Sequence, residues 1–252
     1  MNDTNSLVLL ALAVFPVLIL AVYIYVKDKY EKEPLHMLLK AFLGGMLSVL
    51  PVIPLEKFLS VFAVGGPVFQ GLYNGFVVAG FSEELFKLLI LFLFIWRSKH
   101  FNELFDGIVY AVYVGLGFAC VENISYVFMT SSFDTNLLTG ITRALFSVPA
   151  HFLFAVAMGY YFAKAKFDAS RRFHHLFKAF MYPLFLHGMY DSLLMVSGNL
   201  QGSPLFYPIA IVLFLLFIRF DVKMWKKGLW KIKMMQERSR ISSLDGNQGD
   251  AF

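Results

Sequence analysis

Residues 6–25 read SLVLLALAVFPVLILAVYIY, a stretch of twenty residues without a charged side chain. A helix needs about 20 apolar residues to cross the hydrocarbon core of a bilayer. The segment has neither a basic region before it nor a small-residue cleavage motif after it, so it lacks the pattern of a removable signal peptide. We therefore predict a membrane-spanning helix here.

Six further apolar stretches follow, which predicts an all-α, polytopic helical membrane bundle with about seven transmembrane helices. The composition agrees, because 58% of the 252 residues are hydrophobic and only 15% are charged. Pro51 and Pro54 predict a kink or a break in the second span. The predicted spans are residues 6–26, 36–60, 68–96, 105–128, 138–163, 177–197 and 204–220.

Lysine and arginine residues mark alternate loops of this bundle. They occur in loops 27–35, 97–104 and 164–176 and after the last span, whereas loops 61–67, 129–137 and 198–203 contain none. Positively charged loops stay in the cytoplasm, so the N-terminus is predicted outside and the C-terminus inside. This distribution of the net charge of +5 indicates a lipid bilayer, and no nucleic acid, as the partner of the basic residues.

The chain divides, on this basis, into a transmembrane domain of residues 1–221 and a basic tail of residues 222–252. The apolar residues Trp225, Leu229, Trp230 and Met234 have helical spacing within the tail. We predict an interfacial amphipathic helix on the cytoplasmic leaflet, followed by a disordered end. The single cysteine, Cys120, excludes a disulfide and a zinc site built of cysteines within one chain.

Several ionisable side chains lie inside the predicted spans, where an ionised group costs about 2.5–3.5 kcal/mol. The midpoints of three spans place Glu83, Glu84, His151 and His187 at one level near the bilayer centre. Lys87 follows Glu83 by one helical turn and can pair with it. Three helices thus bring acids and imidazoles to one depth, which indicates a functional site.

A second polar group is predicted about 6–12 Å towards the outer face, from the rise of an α-helix. Glu122 and Asp191 are acids and Arg143 is a base, so these three side chains can neutralise one another. Asp191 also follows His187 by four residues and can orient its ring. Asn123 is predicted to form a hydrogen bond between helices.

Two hydrolytic chemistries fit these residues. Glu84, His151 and His187 are a ligand set for zinc with an open position for water. Without metal, one of Glu83 and Glu84 can activate water while the histidines stabilise the oxyanion; we give Glu84 preference. These residues therefore do not decide whether the site binds zinc or works without a metal cofactor.

Other functions are compatible with intramembrane acids and histidines. A proton-coupled transporter would use them as a relay, although we detect no inverted repeat. A non-catalytic scaffold or immunity protein would keep the fold alone. A haem protein with two histidine ligands would leave the neighbouring acids unexplained.

The chain resembles the PrsW family of intramembrane proteases, which is related to the bacterial CAAX-protease-like (CPBP) superfamily. The resemblance covers residues 27–195, with about one motif per span. Compared with the wider superfamily, Lys87 stands one residue before the expected Arg, Phe146 lies five rather than four residues before His151, and Asp191 replaces Asn. The matching stretches are 30–34 (YEKEP), 83–87 (EELFK), 105–110 (FDGIVY), 117–126 (GFACVENISY), Arg143 with Pro149 and His151, and 187–191 (HGMYD).

The resemblance implies an intramembrane endopeptidase of a prokaryotic plasma membrane. Its substrate would be a membrane-tethered protein, such as an anti-sigma factor. Glu83 and Glu84 would be the signature acid pair, completed by His151 and His187. The family has been described both as metalloproteases and as glutamic-type proteases, so the resemblance leaves the role of zinc open.

Overall fold

The computed structural model describes residues 3–129, 132–200 and 206–249, and within these ranges it contains helices, turns and loops but no strand. The all-α class predicted from the sequence is confirmed. The α-helices are α1 (Asp3–Lys27), α2 (Leu35–Ser60), α3 (Pro67–Tyr73), α4 (Ser82–Phe94), α5 (Asp106–Val127), α6 (Phe133–Thr142), α7 (Val148–Phe167), α8 (Arg172–Asn199) and α9 (Phe206–Gly249).

Two of the predicted spans contain a π-helical segment between α-helices. Residues Asn74–Phe81 join α3 to α4, and residues Arg143–Ser147 join α6 to α7. A π-helix has a wider turn than an α-helix and is common at functional sites. Both segments therefore shift the direction in which the following side chains point, a feature that the hydropathy pattern does not predict.

The second and seventh predicted spans differ from their helices in detail. Pro51 and Pro54 lie inside α2, which continues past both to Ser60. Helix α9 runs without interruption through residues 221 and 222, so the domain division there stays a prediction. The predicted start of the seventh span, residue 204, and the last three residues lie outside the described residues.

Among the described residues, four helical runs are long and apolar enough to cross a membrane: Asp3–Lys27, Leu35–Ser60, Asp106–Val127 and Phe133–Phe167. The run from α3 to α4 falls short because Glu83, Glu84 and Lys87 lie in its middle. The charged residues of the predicted site thus weaken the hydropathy signal of the helix that carries them. The bundle is that of a membrane protein, and the count of seven spans stays a prediction.

Helix α5 occupies the centre of the bundle and packs against α1, α2, α4, α6 and α7. Glycines make the closest helix crossings possible. A Cβ atom at Gly117 would collide with the carbonyl oxygen of Phe42 in α2, and one at Gly45 would collide with that of Val114 in α5. Small residues at such crossings allow backbones to approach closely, and this packing brings the polar residues of α5 towards its neighbours.

Glycines also bring the first π-helical segment against α8. A Cβ atom at Gly75 would collide with Ser192, and one at Gly188 would collide with the ring of Phe76. Gly188 directly follows His187, and Phe76 lies in the segment that precedes the acid pair. This close contact therefore fixes the position of Glu83 and Glu84 relative to His187.

Candidate active site

The acid pair lies in the first turn of α4, directly after the first π-helical segment. Glu83 is 4% exposed and Glu84 is fully buried, because α2, α5 and α8 all pack against α4. Buried carboxylates require compensating charges or hydrogen bonds. Both acids find the same compensating partner.

Lys87 is that partner. Its ammonium group donates to Oε2 of Glu83 at 3.0 Å and to Oε1 of Glu84 at 2.8 Å, and the lysine is itself buried. It also lies 4.1 Å from the centre of the Phe118 ring. The predicted Glu83–Lys87 contact is present, and Lys87 serves both carboxylates of the pair.

His187 contacts carboxylates through both ring nitrogens. Its Nδ1 lies 2.9 Å from Oε1 of Glu84, and its Nε2 lies 3.3 Å from Oδ2 of Asp191. The ring of Phe154 stacks on the imidazole with centroids 4.8 Å apart. The position and plane of His187 are thus fixed from three directions, and its contact with Asp191 is the one that the spacing of four residues predicts.

His151 belongs to a chain of polar contacts that crosses from α7 to α5. Its Nε2 lies 2.8 Å from Oε2 of Glu122, and the same oxygen lies 2.9 Å from Nη2 of Arg143. Glu122 and Arg143 therefore neutralise each other as the sequence predicts. The structure adds the contact with His151, which joins the two predicted polar levels.

Asn123 anchors the outer part of this network. Its side-chain oxygen accepts from Nε of Arg143 at 2.7 Å, and its Nδ2 donates to the carbonyl oxygen of Ala13 in α1 at 2.8 Å. The ring of Tyr126 lies 4.2 Å from the guanidinium. Asn123 thus forms the predicted hydrogen bond between helices and also orients Arg143.

A cavity of about 610 Å³ lies beside these residues, and we call it the chamber. Glu83, Glu122, Arg143 and Asp191 line it, whereas Glu84 and the two histidines lie behind its wall. Its other polar wall residues are Glu56, Ser60, Asn74, Ser125, Tyr126, Ser147 and Tyr190. The chamber provides space for water and a peptide segment next to Glu83.

Glu56 in α2 is an acid of the chamber that the sequence does not single out. It is partly buried, and within the described residues its carboxylate has no hydrogen bond or ion pair. Its position near the end of a predicted span, beside Lys57, resembles that of an ordinary boundary charge. The sequence feature that could have identified Glu56 is its acidic side chain inside the predicted span 36–60.

The predicted zinc ligands meet a basic geometric requirement. Glu83, Glu84, His151 and His187 each offer one ligand atom, and these atoms lie within 4.8 Å of one another. Oε2 of Glu84 is buried without a hydrogen-bond partner, so it is an acceptor that an ion or a water would satisfy. Carboxylate oxygen and imidazole nitrogen are donors that zinc takes. The donor types therefore fit zinc, which would have to displace the Lys87 ammonium group from Oε1 of Glu84 and Nδ1 of His151.

Two of the matching motifs lie away from this site, around the loop between α1 and α2. Tyr110 donates its hydroxyl hydrogen to Glu33, and Oδ2 of Asp28 accepts from the backbone N–H of Glu33 at 2.9 Å. Asp106 lies next to Glu33 and accepts from two backbone N–H groups. Burial raises the pKa of Glu33 to about 7 and that of Asp28 to about 6. These motif residues form a separate buried acidic cluster.

Comparison with known proteins agrees with the resemblance seen in the motifs. Residues 33–218 match the family described as PrsW family intramembrane metalloprotease. Protease PrsW of Clostridioides difficile (strain 630) is 40% identical over 92% of this chain and 93% of its own length. Protease PrsW of Geobacillus kaustophilus (strain HTA426) is 41% identical over 75% of this chain and 80% of its own length.

A third relative, Protease PrsW of Bacillus subtilis (strain 168), is 34% identical over 89% of this chain and 94% of its own length. No solved structure matches the chain. The relatives are named as proteases, which favours an enzyme over the transporter and the scaffold considered above. The chain belongs to the PrsW family of intramembrane proteases.

Proposed function

We propose that this protease cuts a membrane-tethered protein of the anti-sigma-factor class near the outer end of the substrate's membrane segment. The observation that carries the proposal is the chamber, where Glu83 faces a volume of about 610 Å³ inside the bundle. The chamber extends from Glu83 past Glu122 and Asp191 to Glu56, along the side that the loop charges predict to be outside.

Glu83 is the residue that we assign as general base. It lines the chamber, whereas Oε1 of Glu84 is held by Lys87 and His187 behind the wall. A general base has to reach the water that it activates. From the sequence alone Glu84 is the preferred base, whereas access to the chamber favours Glu83 for this role.

The remaining polar groups position the general base and stabilise the negative charge that develops on the substrate during the reaction. Lys87 and His187 hold Glu84 in place, and Lys87 also bonds Glu83. Arg143 lines the chamber, where a preorganised cation stabilises the oxyanion of a tetrahedral intermediate. Glu84, His151 and His187 would hold zinc, which when bound supplies a Lewis acid that polarises water and the peptide carbonyl.

The membrane orientation is part of the proposal. The charged and uncharged loops support an N-terminus outside and a C-terminus in the cytoplasm of a prokaryotic plasma membrane. Reporter fusions test this orientation: alkaline phosphatase should be active at the N-terminus and inactive at the C-terminus. The opposite pattern would place the chamber on the cytoplasmic side and remove the basis for an outer cleavage site.

Co-expression tests the activity. Single-span anti-sigma factors from the host genome are tagged at both ends and expressed with the unmodified chain, Glu83→Gln or the surface control Glu237→Gln. We expect one of them to be cut by the unmodified chain and by Glu237→Gln, but not by Glu83→Gln. Cleavage that persists in Glu83→Gln contradicts the assignment of the base, and absence of cleavage in every case contradicts the substrate class.

A further inference from the structure

A second cavity adjoins the chamber. It has a volume of about 460 Å³, and we call it the groove. Five residues line both cavities, namely Tyr126, Arg143, Ser147, Tyr190 and Leu194. The groove and the chamber therefore share a wall, and opening this wall would join them into one passage to Glu83.

The groove differs from the chamber in its chemistry. It contains no acid, and apart from Arg143 its wall is apolar, aromatic or hydroxyl-bearing. The hydroxyls of Thr139 and Thr142 already donate to carbonyl oxygens of their own helix. Such a surface suits an apolar partner, in contrast to the acid-lined chamber beside it.

The groove lies between helices that belong to the membrane-embedded bundle. Its wall along α8 extends from Tyr190 to Ser197, a length of about 10 Å at the rise of an α-helix. Leu194 on this wall is 47% exposed, so the groove is accessible from the surface of the bundle. A groove of this length accommodates about two turns of a helix.

Aromatic rings contact one another in the wall of the groove. The ring of Phe217 in α9 lies 5.6 Å from that of Phe146 and 5.1 Å from that of Tyr190. The hydroxyl groups of Tyr190 and Ser147 lie 3.3 Å apart, across the interface between α8 and the second π-helical segment. Tyr190 and Ser147 line both cavities, so their contact lies in the wall that the groove and the chamber share.

We propose that the groove is a lateral entrance, where the outer end of the substrate's membrane helix docks before Tyr190 moves and admits the chain to the chamber. The inference rests on the proposed function, since it assigns a route to the same site. The apolar wall matches the side chains of a membrane helix. Arg143 and Ser147 lie at the junction, where an unwinding helix exposes backbone carbonyl oxygens that need donors.

Neighbouring residues of α8 provide a matched pair of variants. Ser197 lines the groove but not the chamber, and a Trp side chain there would occupy part of the groove. A Cβ atom at the adjacent Gly198 would meet no other atom within 4 Å, so Gly198→Trp adds the same bulk outside the groove. The two substrates are the tagged anti-sigma factor cut in the co-expression assay and a soluble peptide spanning its cleavage site.

We expect the ratio of tethered-substrate cleavage to peptide cleavage to fall about tenfold in Ser197→Trp and to stay unchanged in Gly198→Trp. A ratio that is unchanged in Ser197→Trp, or that falls equally in both variants, overturns the lateral entrance. If the unmodified chain cuts neither substrate, it is the proposed function that fails.

Cross-linking tests docking without cleavage. In a Glu83→Gln, Cys120→Ala background, Ser197→Cys or Gly198→Cys is combined with single cysteines along the membrane segment of the anti-sigma factor. We expect disulfide formation with Ser197→Cys at positions near the outer end of that segment, and several times less with Gly198→Cys. Equal reaction of the two cysteines, or no reaction, overturns the proposal and leaves lipid as the occupant of the groove.

Discussion

The ammonium group of Lys87 lies 3.3 Å from Nδ1 of His151, although 64 residues separate them in the chain. Lysine has no acceptor, so Nδ1 of His151 accepts this hydrogen bond and Nε2 carries the proton that is donated to Glu122. One lysine therefore sets the tautomer of His151 while it neutralises the acid pair. Removal of Lys87 should therefore affect both carboxylates of the acid pair and the protonation of His151.

Replacement of Lys87 by Met should remove the ammonium group that both buried carboxylates share. Removing one partner of a buried ion pair typically costs about 3–5 kcal/mol of stability. We expect a marked fall in the thermal midpoint of the detergent-solubilised protein, together with loss of cleavage.

The double variant Lys87→Met, Glu84→Gln separates the two effects. It removes one negative charge with the positive one, so most of the stability should return while activity stays low. A single variant Lys87→Met that is as stable as the unmodified protein would contradict the compensating role of the lysine.

Glutamine substitutions distinguish the two acids. Glu83→Gln should lower kcat by about a hundredfold to ten-thousandfold, the usual contribution of a general base. Its thermal midpoint should change little, because Lys87 keeps its bond to Glu84. Glu84→Gln should reduce activity less and should lower the midpoint more, since both Lys87 and His187 lose a carboxylate partner. The reverse order of the two kcat values would assign the base to Glu84.

Metal analysis of the purified protein tests the zinc set. About one zinc per chain, lost in Glu84→Ala and in His151→Ala, is expected if these donors hold the ion. His174→Ala is the control, because His174 is exposed on α8 and lies outside the set. A zinc-free sample that still cleaves its substrate would instead support a glutamic mechanism, with Glu83 as base and the histidines as positioning groups.

The acidic cluster around Glu33 predicts a pH dependence of stability. Burial raises the pKa of Glu33 from 4.5 to about 7, so the folded protein binds this proton more tightly than the unfolded chain does. The stabilisation is fully present below about pH 4.5 and is lost as the pH rises through about 7. Glu33→Gln should remove this part of the pH dependence of the thermal midpoint, whereas Glu237→Gln should retain it. Identical profiles for all three proteins would contradict the assignment.

The depth of residues along the helices is the sequence signal that predicts which side chains of the candidate site lie close together. Glu83, Glu84, His151 and His187 come from three predicted spans whose midpoints fall at one level, and their ligand atoms lie within 4.8 Å of one another. Ionisable residues stand out in apolar segments, and helix rise converts sequence position into depth. The pairing of His187 with Asp191 follows from helical spacing in the same way.

The sequence could not predict features that depend on rotation about the helix axes. Glu56 is an acid at the end of a span, and its direction towards the chamber depends on how α2 packs against α5. The contact between His151 and Glu122 joins residues that depth arithmetic assigned to different levels. No composition distinguishes the segment Asn74–Phe81 as a π-helix rather than an α-helix. Each of these depends on contacts between helices distant in sequence.

The π-helical segment Asn74–Phe81 has a consequence for how this enzyme tolerates changes in length. A π-helix closes its hydrogen bonds over five residues where an α-helix uses four, so this segment can absorb the loss of one residue by becoming α-helical. The acid pair would then keep its direction, whereas Gly75 and Phe76 would leave the positions at which they contact α8. The number of residues in this segment, and not only their identity, therefore decides how closely α8 approaches the turn that precedes the acid pair.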